Sequence, residues 1–386
     1  MTSLMSEMGA KALRLGIPLG VQLDLTYRCN EQCVHCYLDH DDHGEMTTAE
    51  IKDLLDQLAA AGVFFLSLSG GEIFLRRDFF EILEYAARLR FCVKLKTNAV
   101  LIREAQAARI AGLGVESVQI SLYSHRPEVH DAITKLPGSL KRSVAATRLL
   151  TAAGVKVIFA NVLMRQNMAD YKGVQVLAQE VGAAFTIDPT ITPMMDGDRS
   201  ILSMNIGEAE LREVFRDNTL VGNVEEFCKP PAGPVDEADA FESLPCSAGH
   251  TACYISPYGD LYPCVQFPLP SGNVRRQRFL DIWKHSPQLN EVRSITLGDV
   301  QGCSQCVHGS ECSRCPGLAY MEGNMRGPST QDCEKSFART GVPSVNLQNK
   351  KARSAARNLV QIQSVPAFAV FAADPGAFSI SSSTAA

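Results

Sequence analysis

The chain has 386 residues, enough for two or three domains with large cores. At 46% hydrophobic and 20% charged residues its composition is that of a folded protein, and a net charge of −5 without a long basic run argues against a nucleic-acid or anionic-membrane surface. No charged-then-apolar leader and no run of about 18 apolar residues is present, so a cytoplasmic chain with no membrane association is expected. Thirteen cysteines in such a chain read as metal ligands, because the cytosol keeps thiols reduced, and nine of them follow residue 227.

The first predicted strand, 21–26, runs directly into Cys29, Cys33 and Cys36. Three thiolates on one short loop can hold three irons of a four-iron cluster and leave the fourth without a protein ligand. Clusters used only for electron transfer are usually closed by four cysteines, so an open iron implies that something else binds there. The plain alternative is a partial zinc site, but zinc motifs usually come as two paired sets, and no second pair follows nearby. The spacing of three residues and then two, with His35 before the third cysteine, resembles the radical S-adenosylmethionine (radical SAM) superfamily. The resemblance implies that SAM chelates the open iron at this loop.

Short β-rich runs then alternate with amphipathic stretches. Strands are predicted at 64–69, 93–97, 117–121, 156–162 and 185–188, and helices at 48–61, 78–89, 104–111, 140–153 and 171–181. Thr47 and Glu50 form a capping box for the first helix, whose Ile51, Leu54, Leu55 and Leu58 share one face. Gly62, Gly154 and Gly182 stand where a left-handed residue ends a helix. Repeated strand–helix units give a parallel sheet, so the expected fold is α/β, an open partial (β/α)6 barrel over 15–215. Sites on such sheets lie at the carboxyl ends of the strands, where the cysteine loop falls.

Ser69-Gly70-Gly71-Glu72 follows the second strand. Paired glycines let backbone approach a ligand closely, and Glu72 can offset a cation. The resemblance makes this the turn that receives the SAM amino group, although Ile73 stands where the family usually has proline. It also implies that Asn98, Ser121 and Arg165 at later strand ends contact the ribose hydroxyls and the methionyl carboxylate. Arg165 suits the carboxylate through bidentate geometry. Each is otherwise an ordinary polar residue at a strand end.

A proline-rich stretch follows, with one helix at 206–215 and a linker at 216–245. The cysteine-rich module, 246–340, opens with a hairpin around Gly259. It resembles the SPASM domain, which binds two auxiliary [4Fe–4S] clusters. The resemblance assigns Cys246, Cys253, Cys264 and Cys315 to the first and Cys303, Cys306, Cys312 and Cys333 to the second. The gap of two residues between Cys312 and Cys315, where three is common, leaves a local swap open, and zinc is again the alternative. Cys92 and Cys228 read as bystanders, and 39–43 as a solvated loop rather than a metal site. The last stretch, 341–386, has no helical or strand period and is expected to be flexible, with 365–371 the one segment suited to docking.

These readings predict a radical SAM enzyme with three [4Fe–4S] clusters, reduced by a flavodoxin or ferredoxin. The preferred substrate is a ribosomally made peptide, modified by crosslinking, epimerisation or oxidation. Modification of a small molecule, such as a tetrapyrrole side chain, stands second, and a non-catalytic electron carrier third. In sulfatase-maturing relatives an aspartate follows the cysteine matched here by Cys264; Val265 in that place disfavours formylglycine formation. About 20 residues precede the first strand, so a separate small leader-peptide-binding protein is expected as partner.

Overall fold

Along three of the predicted strands, polar residues alternate with Leu, Ile and Val: Phe-Leu-Ser-Leu-Ser, Cys-Val-Lys-Leu-Lys-Thr and Ser-Val-Gln-Ile-Ser. Successive strand side chains point to opposite faces, so each such strand has an apolar face and a polar one. A computed structural model describes residues 4–234, 244–309 and 312–347. In it β1 (Gly20–Asp24), β2 (Phe65–Ser69), β3 (Cys92–Thr97), β4 (Ser117–Ser121), β5 (Val157–Val162) and β6 (Ala184–Asp188) pair in sequence order, all parallel. This sequential winding is that of the open barrel expected. Each predicted strand is found, with limits shifted by at most two residues.

The helices cover the apolar face. Leu23, Leu66, Leu68, Leu95, Ile120 and Phe159 are fully buried beneath them. In helix α2 (Thr48–Ala60) the capping box forms as expected, with Thr47 Oγ1 accepting from Glu50 N–H, while Ile51, Leu54, Leu55 and Leu58 face the sheet. Gly62, Gly154 and Gly182 all take positive φ beyond their helices. The polar strand face is left to line a concave interior.

Four helices of the cysteine-rich segment, Phe279–His285, Pro287–Arg293, Pro316–Met321 and Thr330–Thr340, escaped the sequence reading, as did two in the barrel half of the chain. Leu4–Leu15 buries only Ala12 and leaves Leu4, Met5, Leu13 and Leu15 exposed, so it presents no apolar stripe to the core. Pro127–Thr134 has eight residues, begins on proline and buries the polar pair His130 and Thr134. The other corrections concern limits. The helix expected at 206–215 is Glu208–Phe215, and the linker contains two single-turn helices, Asn218–Val221 and Val224–Phe227.

The cysteine-rich segment does not begin a separate sheet. Its first strand, β7 (Ala252–Ile255), adds in parallel to the outer edge of β1, with Gly20 opposite Ala252 and Val21 opposite Cys253. The hairpin expected around Gly259 follows: β8 (Asp260–Tyr262) and β9 (Gly272–Asn273) pair antiparallel, giving one nine-stranded sheet. Residues 342–347, within the stretch expected to be flexible, make contacts in the structure. Val342 O accepts from His308 Nε2 at 2.9 Å, and Asn346 Nδ2 lies 3.8 Å from Cys333 Sγ. The docking segment 365–371 lies outside the described residues.

Leu55 has no exposed surface and sits at the centre of the α2 interface. Leu55→Ala is expected to destabilise the fold by about 2–5 kcal/mol, the cost of lost burial plus a residual cavity, read as a lower thermal midpoint with unchanged far-ultraviolet dichroism.

Candidate functional site

Beyond β1 the chain enters the cysteine loop, and two neighbours hold that loop in place. On one side Gln32 and Val34 N–H donate to Thr134 and Ile133 carbonyls at the end of the helix Pro127–Thr134, both at 3.0 Å. On the other side lies the turn after β2. Gly71 N–H donates to Thr26 O at 2.7 Å and Glu72 N–H to Arg28 O at 2.9 Å. A Cβ on Gly70 would stand 2.2 Å from Thr26 O, and one on Gly71 2.4 Å from Arg28 O. The glycines are therefore required by contact with the cysteine loop, a closer constraint than the ligand approach expected from sequence.

Glu72 is fully buried and faces its own turn. Its carboxylate accepts from Phe74 N–H at 3.1 Å, Asn98 N–H at 2.9 Å and Thr97 Oγ1 at 2.7 and 2.8 Å. Burial pushes its pKa up, opposed by these hydrogen bonds to the ionised form. Glu72 thus ties the end of β2 to the end of β3 rather than lining the cleft.

The cleft at the carboxyl ends of the strands has a volume of about 320 Å³, within the range of small-molecule sites. Cys29, Cys33, Cys36 and His35 line it from the loop, and Gly70, Gly71, Asn98 and Ser121 from the strand ends. Arg165 does not: it is exposed, and its Nε donates to Asn205 O at 3.0 Å. The chain turns outward after β5, which carries that side chain away from the polar face.

Burial pushes the Cys29 thiol up to about 12, with Glu72 and Glu31 adding to the effect, and raises Cys33 and Cys36 as well. Burial likewise raises Glu31 to about 7 and lowers His35 to about 4. His35 Nδ1 and Glu31 Oε1 are buried without a partner. The His35 ring packs edge-on against Tyr123 at 4.7 Å.

Sequence reasoning missed the charged floor of the cleft. Lys96, on the polar face of β3, donates to Gln22 Oε1 at 2.8 Å. Gln22 Nε2 donates to the buried Asp24 at 3.1 Å, and Tyr254 Oη donates to the same carboxylate at 3.0 Å. Burial raises Asp24 to about 6, opposed by Gln22, Tyr254 and Lys96. The alternation Lys94-Leu95-Lys96 in a parallel strand was the available signal, since a charge there must face an interior rather than a helix.

The later cysteines lie in two groups. Cys303, Cys306, Cys312 and Cys333 line one small cavity of about 40 Å³. Cys264 lies in the electrostatic field of Cys246, and Cys253 and Cys315 lie in that of Cys264. Among the described residues no three Cys, His, Asp or Glu side chains close around a single-ion point. Buried thiols that raise one another's pKa, beside unpartnered buried polar atoms, fit a bound cationic group, and a thiolate donor set suits iron–sulfur clusters.

Comparison with known proteins bears on these sites. A family model described as the radical SAM superfamily matches residues 23–175, and one described as an iron–sulfur cluster-binding domain, SPASM, matches 246–316. The chain is 32% identical over 310 residues to the mycofactocin maturase MftC of Mycobacterium tuberculosis, covering 77% of this chain and 78% of that one. It is 26% identical over 324 residues to an AdoMet-dependent heme synthase of Methanosarcina barkeri, covering 78% and 92%. In fold it resembles Streptococcus suis SuiB bound to the precursor peptide SuiA, with a TM-score of 0.67 at 18% identity, over 85% of this chain and 80% of that one.

Gly71→Ala is expected to displace the cysteine loop and lower the iron held by Cys29, Cys33 and Cys36, whereas Arg165→Ala should leave SAM affinity within about twofold, the scale of a neutral surface change; iron content and equilibrium dialysis check the pair. A second expectation concerns pH. The folded state keeps the Asp24 proton that the unfolded chain loses, so stability falls as pH rises from about 4 to about 6. Asp24→Asn should remove that slope, worth at most about 3 kcal/mol, in denaturation curves taken across the window.

Proposed function

The chain belongs to the radical SAM superfamily and carries a SPASM domain, and from that premise we propose that it is a peptide maturase. It abstracts hydrogen from a ribosomally made peptide and modifies it by crosslinking, epimerisation or oxidation. With a [4Fe–4S] cluster on Cys29, Cys33 and Cys36 and SAM in the cleft, reductive cleavage of the sulfonium supplies a 5′-deoxyadenosyl radical.

The observation that carries this reading is the convergence of those three thiols, the Gly70–Gly71 turn, Asn98 and Ser121 on one cleft. There the three cysteines would hold three irons and leave the fourth open to the methionyl group. The turn, Asn98 and Ser121 line the same cleft and would offer backbone, amide and hydroxyl groups to the bound SAM. His35 and Tyr123 pack edge to face in the wall of the cleft. Val265 also lines the cleft and puts no carboxylate there, which disfavours formylglycine formation. The two later cysteine sets, fully ligated by four thiols each, suit two further [4Fe–4S] clusters in electron transfer.

The domain limits that serve this scheme are a core over 15–215 and a cluster module over 246–340. A flavodoxin or ferredoxin supplies electrons in the cytoplasm, and a small separate protein presents the leader peptide. Among the described residues no helix is long and apolar enough to cross a membrane.

The peptide substrate is supported by the maturase relative. The heme synthase relative supports a second reading, modification of a tetrapyrrole side chain. Anaerobically reconstituted protein is given SAM and a strong reductant, with host extract split into peptide and small-molecule fractions, and 5′-deoxyadenosine is followed by mass spectrometry. Stimulation by the peptide fraction is expected, and stimulation by the small-molecule fraction alone would transfer the assignment to the second reading. Cys33→Ala should abolish deoxyadenosine formation in every sample; persistent SAM cleavage would overturn the assignment of the cleft.

A further inference from the structure

The polar face of the sheet puts one basic side chain of the lysine or arginine kind into the cleft. Among the described residues Lys96 alone of those two types lines it, since Arg165 turns outward. Lys96 stands in β3 opposite Gln119 of β4, and its side chain reaches across β2 to Gln22 of β1. On that face β2 carries Ser67 and Ser69, whose small side chains leave the path open.

The Lys96 ammonium is short of partners. Among the described residues its hydrogen bond is the one to Gln22 Oε1 at 2.8 Å, and no carboxylate oxygen lies within 4.0 Å of Nζ. Gln22 is held in that orientation because its Nε2 donates to Asp24 at 3.1 Å, and Tyr254 Oη donates to the same carboxylate at 3.0 Å. The carboxylates that line the cleft lie elsewhere: Glu31 belongs to the cysteine loop, and Asp188 Oδ1 accepts from Thr190 N–H at 2.9 Å. An ammonium carries three donors, so a half-buried one held by a single neutral amide lacks both hydrogen bonds and counter-charge. Burial pushes its pKa down and Asp24 opposes this. A further anion at the same nitrogen would stabilise the charged form.

Depth separates this position from the cysteine loop. Asn98 marks the level of the loop: its Nδ2 donates to Asn30 Oδ1 at 3.0 Å and lies 3.8 Å from Cys29 Sγ. Lys96 is two residues further back, about 7 Å along a strand, and it reaches to mid-strand Gln22 rather than to the loop. A methionyl group on an iron held by Cys29, Cys33 and Cys36 would sit at the upper level, and Lys96 faces the space beneath.

We propose that Lys96 is a substrate-binding residue that anchors a carboxylate of the substrate, with Gln22 and Gln119 beside it completing the subsite. The inference rests on the peptide reading under Proposed function, and there the carboxylate is an acidic side chain or the free C-terminus close to the residue modified. One ion pair at the floor of the cleft fixes the position of the hydrogen-donating carbon and selects substrates by charge.

The test gives wild-type holoenzyme, SAM and a strong reductant the peptide fraction of host extract, before and after methyl esterification of its carboxyl groups. Esterification should lower the stimulated yield of 5′-deoxyadenosine about tenfold or more, the scale of one lost charge-assisted hydrogen bond. Lys96→Met should lower stimulation by the untreated fraction to a similar degree, with esterification then adding little, because both changes remove the same interaction. An esterified fraction that stimulates the wild type fully, or losses that multiply, overturns the proposal. The wild-type arm needs no variant, so it decides the matter even if Lys96→Met fails to fold. SAM affinity of Lys96→Met, by equilibrium dialysis, should stay within about twofold; a tenfold loss would assign Lys96 to the methionyl carboxylate and overturn the proposal. Stimulation by the small-molecule fraction alone, lost on esterification, would overturn the peptide reading and keep the anchor, and stimulation by neither fraction overturns both. Synthetic copies of the modified peptide, one amidated at its C-terminus and one with Asn and Gln for Asp and Glu, show which carboxylate is bound; full activity of both overturns the proposal.

Discussion

The site depends on one close approach of backbone to backbone. The turn after β2 lies against residues 26–28 so tightly that neither Gly70 nor Gly71 has room for a methyl group. Two N–H groups of the turn donate to carbonyls of that stretch, and Glu72 carries the connection on to Thr97 and Asn98. Three consecutive strand ends are locked together by this contact. The cysteine loop therefore has a defined shape before any iron is bound, because the scaffold rather than the metal sets its path.

A second linkage joins the barrel to the cysteine-rich segment. Adding β7 to the edge of β1 places Tyr254 beside Asp24, and the Tyr254 and Tyr27 hydroxyls lie 2.6 Å apart. The chain from Lys96 through Gln22 and Asp24 to Tyr254 is buried and hydrogen-bonded, which a low-dielectric interior demands of polar groups. Met46 N–H donates to Pro257 O at 2.7 Å, and Tyr258 Oη donates to Asp41 O at 2.7 Å. The hairpin thus braces the chain just beyond the first cysteine cluster, so the early and late cysteines share one framework.

Much of this was legible in the sequence. The strands, the capped helix α2 and the stop glycines all follow from period and capping chemistry, whereas the division of the later cysteines into two sets was implied by the resemblance to the SPASM domain. Glu72 and Arg165 show where such reading stops. Both are polar residues at strand ends, yet Glu72 turns inward onto its own backbone and Arg165 turns out toward Asn205. Spacing along the chain does not encode that choice, since it depends on which acceptors neighbouring elements leave free. The Leu4–Leu15 and Pro127–Thr134 helices were missed because neither offers a long apolar stripe.

The sequence by itself determined which residues carry chemistry and which elements bear them. Thiol spacing limits the groups that can be bound, and side-chain period selects a parallel sheet with a polar concave face. Only the tertiary structure decided which charges surround each cysteine set. Glu72 reaches the first set from the turn after β2, whereas Glu31 lies within the cysteine loop itself. Their effect depends on distance and burial, which exist only once the chain is folded.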